Sequence, residues 1–190
     1  MKHKLKEGLS IVIPAYNEEK SIQKTINTIS KIIKSNLFPI EAIFVNDCST
    51  DKTGLILNKK INISKKIKTI NNENNLGYGN SIKIGIENSK FKNIIITDAD
   101  SSYPLERIPE FYKLFINSNL DMLIGDRSGS FYKYFLSYFS AKNIGREIVR
   151  LLASLLTNYK INDINSGFRI FRKEMYYKFY DFLPNGFSLT

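Results

Sequence analysis

A pair of aspartates separated by one residue is the strongest candidate for chemistry in this 190-residue sequence. Asp98 ends the apolar segment 93–98, which contains three consecutive isoleucines, and Asp100 follows two positions later. Two carboxylates at this spacing can share a hard divalent cation, which in turn binds the oxygens of a diphosphate. The alternative is a turn that only ends a strand, because so short a motif also arises by chance.

The rest of the composition limits which metal could bind. The chain contains one cysteine, Cys48, and one histidine, His3. It therefore cannot form an internal disulfide or a cysteine-based zinc cluster, and histidine-dependent triads and histidine-ligated metals are disfavoured. A metal would be held by oxygen atoms, which favours Mg²⁺ or Mn²⁺.

Other segments also place polar, acidic or glycine residues directly after an apolar run. They are residues 14–18, 46–51, 75–80 and 125–127. In parallel sheets, ligands bind beyond the carboxyl ends of the strands, so we expect these segments to share one edge. Nicotinamide and P-loop chemistry are disfavoured, because Gly77 and Gly79 lack the third glycine of the dinucleotide fingerprint and no Gly-Lys-Ser/Thr phosphate loop occurs.

These segments need a fold that brings them together, and the apolar pattern predicts one. Strands are predicted over 9–14, 41–47, 67–71, 93–98, 121–125 and 168–171. Helices are predicted from Ser21 as N-cap, over 53–60, over 80–89, from Pro104 and near 173–181. The alternation predicts an α/β fold with a mostly parallel central sheet flanked by helices.

The pattern changes after Gly125, where the aromatic and basic stretch 128–159 is predicted to be helical. Its aromatic residues and regularly spaced Lys and Arg suit contact with an anionic lipid surface. A core-packed helix with a solvated basic face is the alternative. The chain ends at Thr190 in what looks like the middle of an element, so we expect a C-terminal segment to be missing.

The formal net charge is +10, from 28 Lys and Arg against 18 Asp and Glu. A positive charge of this size favours an anionic partner, which could be nucleic acid, an acidic membrane or a phosphorylated substrate. Nucleic acid is disfavoured, because the basic residues are spread along the chain and no RNA-binding or zinc-finger motif occurs.

Six short motifs, taken in order, resemble those of family 2 glycosyltransferases, which have the nucleotide-binding GT-A fold. They are IVIPAYNEE (11–19), VNDCSTDKT (45–53), NNLGYGNSI (74–82), TDAD (97–100), GDR (125–127) and DINSGFRIF (163–171). Within that family the chain most resembles the branch that transfers sugar to polyprenyl phosphate, the dolichyl-phosphate mannose synthase type. The resemblance implies one domain over 1–190, with a Rossmann-like nucleotide-sugar half (9–125) and an acceptor-side, membrane-facing half (126–190).

The resemblance also assigns roles to individual residues. It implies nucleotide binding by Pro14, Ala15, Tyr16, Glu18, Asp47, Gly77, Gly79 and Asp98. It implies that Asp98, Asp100 and Ser102 hold Mg²⁺ or Mn²⁺, with Ser102 in the place of a glutamine that binds metal in lipid-phosphate members. Where family members often have Asp-Asp-Gly, this chain has Asn-Asp-Cys at 46–48.

The implied reaction uses a UDP- or GDP-linked sugar. The cation would neutralise the leaving diphosphate, and Arg127 and Arg169 are candidate phosphate clamps, because a guanidinium matches phosphate oxygens bidentately. The acceptor would attack the anomeric carbon with inversion. A polyprenyl phosphate is already ionised, whereas a saccharide hydroxyl of a capsule or cell-wall glycan would need a general base, with Asp163 first and Asp126 second.

Both acceptors stay open at this point, as does an inactive nucleotide-binding remnant. The membrane-facing half and the lipid acceptor lead us to expect a cytoplasmic protein with peripheral contact at the cytoplasmic face of the membrane.

Overall fold

The computed structural model describes residues 5–60, 65–100, 102–125, 154 and 166–184. Met1–Leu123 and Phe168–Thr190 form one compact unit, and Ile124–Gly167 form a second. Apart from the helical Ser154, the predicted helix over 128–159 lies outside the described residues, so its lipid contact stays a prediction. In the part of the chain that is described, no helix is both long enough and apolar enough to cross a membrane.

Within the described residues, six strands form one sheet. They are β1 (Lys6–Ala15), β2 (Ile40–Asn46), β3 (Ile67–Asn71), β4 (Phe91–Ile96), β5 (Met122–Ile124) and β6 (Arg169–Arg172). The order across the sheet is β3-β2-β1-β4-β6-β5. Strands β1 to β4 run parallel, and β6 pairs antiparallel with β4. The mostly parallel sheet predicted from the sequence is therefore confirmed.

The helices follow the strands in the predicted alternation. They are α1 (Ile22–Ser35), α2 (Thr53–Lys60), α3 (Tyr78–Glu87), α4 (Ile108–Asn117) and α5 (Lys173–Lys178), with 3₁₀ turns at Leu105–Arg107 and Tyr180–Phe182. Helix α3 begins two residues before the predicted start, because Gly77 turns the chain with a φ of 87° and Asp47 accepts its N–H. Ser21 occupies the N-cap position of α1, but its hydroxyl donates to Glu18.

The central strands are buried on both faces. In β1, Ile11 and Ile13 belong to the core that includes residues of α1, α2 and α4, whereas Val12 belongs to the opposite core, which includes residues of α3 and α5. In β4, Ile95 faces the first core, and Ile94 and Ile96 face the second. This two-sided burial explains why three isoleucines follow one another without polar alternation.

Gly85 allows α3 to approach the sheet closely. A Cβ atom at this position would overlap the side chain of Val12 and stand 3.3 Å from Cγ2 of Val45. Helix α3 therefore packs directly on β1 and β2. Because α3 follows the carboxyl end of β3, this packing sets its first turn at the same edge as the predicted site.

Candidate functional site

The sheet order places three of the predicted site segments side by side. Strand β1 lies between β2 and β4, so the segments that begin at Tyr16, Asp47 and Asp98 share one edge. Neighbouring strands lie about 4.8 Å apart, so the ends of β2 and β4 are separated by about 10 Å. The structure thus brings together the acidic residues that the sequence placed after separate strands.

Asp47, at the end of β2, is 4% exposed and holds the loop that precedes α3. Its Oδ1 accepts hydrogen bonds from the side-chain amide of Asn72 at 2.8 Å and from the N–H of Leu76 at 2.9 Å. Its Oδ2 accepts the N–H of Gly77 at 2.8 Å. A carboxylate offers about four lone-pair directions, so three loop donors leave room for one more. The predicted contact of Asp47 with a base stays a prediction.

Asp98, at the end of β4, is bonded to the first residue of α3. The phenol of Tyr78 donates to its Oδ1 at 2.8 Å. Burial raises the pKa of Tyr78 well above its usual value, and the negative charge of Asp98 raises it further. The phenol therefore stays protonated at neutral pH and acts as a donor. The sequence reasoning missed Tyr78, although it lies between Gly77 and Gly79.

Residues 72–78 therefore form a strap between the acidic ends of β2 and β4. The strap bonds to Asp47 on one side and to Asp98 on the other, and β1 lies between these two strand ends. Gly77 has a φ of 87°, a conformation that glycine adopts without strain. Gly79 is buried in the first turn of α3. Direct contact of either glycine with a nucleotide stays a prediction.

The end of β4 also supplies oxygen atoms for a cation. Asp98 is half-buried, and Asp100 and Ser102 are exposed. Oδ1 of Asp100 accepts the N–H of Ser102 at 2.9 Å, which shapes the turn. The described residues contain no group of three or more His, Cys, Asp or Glu side chains that could hold a metal. Two carboxylates fit a Mg²⁺ or Mn²⁺ ion that takes its remaining ligands from substrate phosphates and water.

The loops after β1 and β2 are joined by hydrogen bonds. Oδ1 of Asn17 accepts the N–H of Thr50 at 2.9 Å, and the N–H of Glu18 donates to Oγ1 of Thr53 at 2.7 Å. Cys48 has a φ of 58°, a left-handed conformation, at the position where family members often have glycine. The loop therefore keeps a glycine-like backbone without the glycine.

The predicted nucleotide-binding residues after β1 differ in exposure. Pro14 and Ala15 are buried at the end of the strand, and the carbonyl of Ala15 accepts the N–H of Asp47 at 2.9 Å. Tyr16 is 47% exposed, so its ring is open to a ligand. The carboxylate of Glu18 accepts the hydroxyl of Ser21 at 2.6 Å. Nucleotide contact by these residues stays a prediction.

Of the two predicted phosphate clamps, Arg169 lies within the described residues. It begins β6 and pairs across the sheet with Ile96, two positions before Asp98. Its positive charge lowers the pKa of Tyr78, whereas burial and the charge of Asp98 raise it. Asp126, Arg127 and Asp163 lie outside the described residues.

Comparison with known proteins assigns the chain to a family. Residues 10–179 match the family described as Glycosyl transferase family 2. The uncharacterized protein MJ0544 of Methanocaldococcus jannaschii is 30% identical over 171 residues, which cover 86% of this chain and 71% of that protein. The dolichyl-phosphate beta-glucosyltransferase ALG5A of Trichomonas vaginalis is 27% identical over 175 residues, which cover 87% of this chain and 53% of that protein.

A solved structure shows the same fold. The mannosyltransferase PcManGT of Pyrobaculum calidifontis, in complex with GDP-Man and Mn²⁺, matches 92% of this chain and 47% of its own, with a TM-score of 0.63 and 15% identity. The chain thus spans about half the length of ALG5A and of PcManGT. The predicted GT-A fold is confirmed by this likeness, and the match over residues 10–179 shows that the chain belongs to glycosyl transferase family 2.

Proposed function

We propose that this chain is the catalytic domain of an inverting glycosyltransferase that moves a sugar from a nucleoside diphosphate to a polyprenyl phosphate, with Mg²⁺ or Mn²⁺. The observation that carries the proposal is the acidic edge of the sheet, where Asp47 follows β2 and Asp98 and Asp100 follow β4, the two parallel strands on either side of β1. The likeness to ALG5A over 87% of this chain supports the polyprenyl-phosphate acceptor.

The donor would lie along the edge, with its base toward Asp47 and Tyr16 and its diphosphate toward Asp98 and Asp100. Asp98 and Asp100 would hold the cation, which supplies positive charge beside the diphosphate. Arg169, at the Asp98 end of the edge, would add a second positive charge with donors in a fixed fork that matches phosphate oxygens. These charges act where negative charge accumulates as the sugar leaves.

The acceptor phosphate would attack the anomeric carbon from the side opposite the diphosphate. The bond between its oxygen and that carbon forms as the bond from the carbon to the diphosphate oxygen breaks, which inverts the configuration. The attacking oxygen is already ionised at neutral pH, so the transfer needs no side chain to remove a proton. The leaving group departs as a nucleoside diphosphate, UDP or GDP.

The acceptor is tested by supplying the chain with UDP-glucose or GDP-mannose, Mn²⁺ and either a polyprenyl phosphate or an oligosaccharide. We expect sugar to appear on the polyprenyl phosphate and the reaction to stop when the cation is chelated. Transfer to the oligosaccharide alone would assign a hydroxyl acceptor instead. Nucleotide binding without transfer to either acceptor would identify a nucleotide-binding remnant and contradict the proposal.

We further propose that the domain works as a peripheral protein at the cytoplasmic face of the membrane, where a polyprenyl phosphate would be presented. The formal net charge of +10 supports contact with anionic lipid. Flotation of the full chain with vesicles of phosphatidylglycerol and phosphatidylcholine tests this. Binding should rise with the anionic fraction and fall with salt, and a chain that stays with the unbound protein at low salt would contradict it.

A further inference from the structure

The hydrogen bond between Tyr78 and Asp98 takes no direct part in the proposed sugar transfer. The phenol oxygen lies 2.8 Å from Oδ1 of Asp98, and the tyrosine is half-buried. Tyr78 carries neither a charge for the diphosphate nor a carboxylate for the cation. Its contact with a residue of the acidic edge therefore needs its own explanation.

Tyr78 is held in place from several directions. It begins α3, directly after Gly77, whose N–H is fixed by Asp47 at 2.8 Å and whose carbonyl accepts the N–H of Ser81 at 3.0 Å. Its ring packs against the buried cluster that contains Val12. Gly85 also seats the same helix on β1, so the backbone that carries Tyr78 is fixed against the sheet.

The two aspartates at the end of β4 differ in how they are placed. Asp98 is half-buried and accepts a hydrogen bond from Tyr78, the last residue of the strap and the first of α3. Asp100 is exposed, and its bond to the N–H of Ser102 lies within its own turn. The tyrosine thus ties one of the two carboxylates to a rigid part of the fold.

We propose that Tyr78 is a positioning residue whose hydroxyl holds the carboxylate of Asp98 in the orientation in which it would bind the cation. This inference rests on the proposed function, since it assumes that the edge binds a metal and a nucleotide. Groups that orient metal ligands in this way typically contribute about 10- to 100-fold to metal affinity. The strap also makes the placement of Asp98 depend on the end of β2, through Gly77 and Asp47.

The substitution Tyr78→Phe tests the proposal, because it keeps the ring in the core and removes the hydroxyl alone. We expect the affinity for Mn²⁺, titrated calorimetrically into the chain with UDP or GDP, to fall about 10- to 100-fold. The affinity for the nucleotide without metal should stay unchanged. In transfer assays the Mn²⁺ concentration for half-maximal rate should rise by a similar factor.

The chain offers a matched control in Tyr176→Phe. The phenol of Tyr176 donates to Oε1 of Glu87 at 3.0 Å, and burial raises its pKa as it does for Tyr78. Glu87 is the last residue of α3, whereas Tyr78 is the first. Both substitutions remove a phenol–carboxylate bond, so we expect similar losses of thermal stability. Only Tyr78→Phe should change the Mn²⁺ affinity.

The outcomes separate this inference from the proposed function. If the unaltered chain binds no nucleotide with Mn²⁺, the proposed function fails and the role of Tyr78 fails with it. If the unaltered chain binds and Tyr78→Phe binds Mn²⁺ equally well, the positioning role alone is overturned. An equal loss of Mn²⁺ affinity in the Tyr78 and Tyr176 variants would assign the effect to lost stability and would also overturn it.

Discussion

The two ends of β2 each carry a buried carboxylate, and the protein satisfies the two in different ways. At the amino end, the side chain of Glu41 is fully buried, and its Oε2 lies 3.3 Å from Nζ of Lys68 and 3.4 Å from Nζ of Lys90. Its Oε1 accepts the hydroxyl of Ser10 at 2.8 Å. At the carboxyl end, the hydrogen bonds to Asp47 come from peptide N–H groups and the amide of Asn72.

The difference separates an acid whose charge is paired within the fold from acids that we propose bind a ligand. The charge of Glu41 is cancelled by two ammonium groups, so a ligand cation would gain little there. The donors to Asp47 are neutral groups, an amide and two peptide N–H groups, which fix the strap. Asp98 and Asp100 lie on the same edge, and Asp100 is exposed to solvent. Substitutions at the amino edge, around Glu41, should therefore change the free energy of unfolding. Substitutions at the acidic edge should instead change the Mn²⁺ affinity.

The largest effect is expected from Asp100→Ala at the acidic edge. We expect the Mn²⁺ affinity of the nucleotide complex to fall more than about 100-fold. Removing a group that only orients a metal ligand lowers metal affinity about 10- to 100-fold, and removing a ligand itself should lower it further. The free energy of unfolding should change by less than about 0.5 kcal/mol, since Asp100 is exposed. Calorimetric titration and urea unfolding measure the two quantities.

Asp181→Ala is the control for that substitution, because Asp181 is an equally exposed aspartate in the 3₁₀ turn after α5. It should change neither the Mn²⁺ affinity nor the stability. Full Mn²⁺ affinity in Asp100→Ala would remove Asp100 from the metal site and would weaken the contrast between the two edges.

The opposite result is expected from Glu41→Gln at the amino edge. The glutamine amide would face the ammonium groups of Lys68 and Lys90 without a charge to balance them. The side chains of Lys68 and Lys90 are 45% and 44% exposed, so water can solvate their ammonium groups once the partner charge is gone. Because the hydroxyl of Ser10 and the N–H of Lys90 also lose a charged acceptor, we expect the free energy of unfolding to fall by about 2 kcal/mol. Nucleotide affinity of the folded protein should stay unchanged. Urea unfolding at neutral pH measures the loss.

Glu7→Gln provides the matched comparison, because Glu7 forms an ion pair with Lys92 and its side chain is 73% exposed. An exposed pair contributes at most about 1 kcal/mol, so this variant should remain close to the unaltered protein. If Glu41→Gln lowers the free energy of unfolding no more than Glu7→Gln does, the amino-edge network of Glu41 with Lys68, Lys90 and Ser10 is not a source of stability.

Much of the fold could be predicted from the sequence because the apolar pattern is local. Runs of buried residues marked the strands to within about three residues, and helical spacing marked α1. The antiparallel direction of β6 could not be predicted, because a four-residue strand carries no local signal for its partner. The same limit applies to α3, whose start depends on a carboxylate that comes 30 positions earlier.

The candidate site was predicted as a set of residue types, and its internal bonds were not. Asp47, Asp98 and Asp100 were identified because each follows an apolar run. The strap was missed, because its bonds exist only when the sheet order places β1 between β2 and β4. Glu41 was taken only as the first residue of a strand, since the two lysines that neutralise it lie 27 and 49 positions away.

A smaller effect is expected from Gly85→Ala, which tests whether the packing of α3 on the sheet fixes the position of the strap. Alanine in a helix interior is normally more favourable than glycine by about 1 kcal/mol. Here its Cβ would overlap Val12, and overpacking of this kind costs about 1–3 kcal/mol. We expect a net loss of about 1 kcal/mol in urea unfolding, together with weaker Mn²⁺ binding as Tyr78 shifts away from Asp98.

Gly54→Ala is the control, because its Cβ would meet the side-chain amide of Asn46 at 2.9 Å and would leave the contact of α3 with the sheet unchanged. Displacing that amide strains its hydrogen bond to Asn71 but leaves Tyr78 in place, so the variant should lose stability and keep its Mn²⁺ affinity. A Gly85→Ala protein that is more stable than the unaltered chain would show that α3 can shift at no cost.

The smallest effect concerns the pH dependence of the amino-edge network. Burial by itself would raise the pKa of Glu41, but the N–H of Lys90, the hydroxyl of Ser10 and the charges of Lys68 and Lys90 together lower it. The folded-state pKa therefore lies below the unfolded value of about 4.3. The ionised carboxylate stabilises the fold above that pH, and this contribution is lost as the pH falls through the folded-state pKa.

The difference in unfolding free energy between the unaltered chain and Glu41→Gln should thus shrink as the pH is lowered from 7 to below about 4. Measuring the difference cancels the titration of the other carboxylates, which both proteins share. The corresponding difference for Glu7→Gln should stay small throughout. A Glu41→Gln difference that does not change with pH would mean that the hydrogen bonds of Glu41, and not its charge, stabilise the amino edge. The contrast with Asp47 would then lie in the hydrogen-bond donors alone.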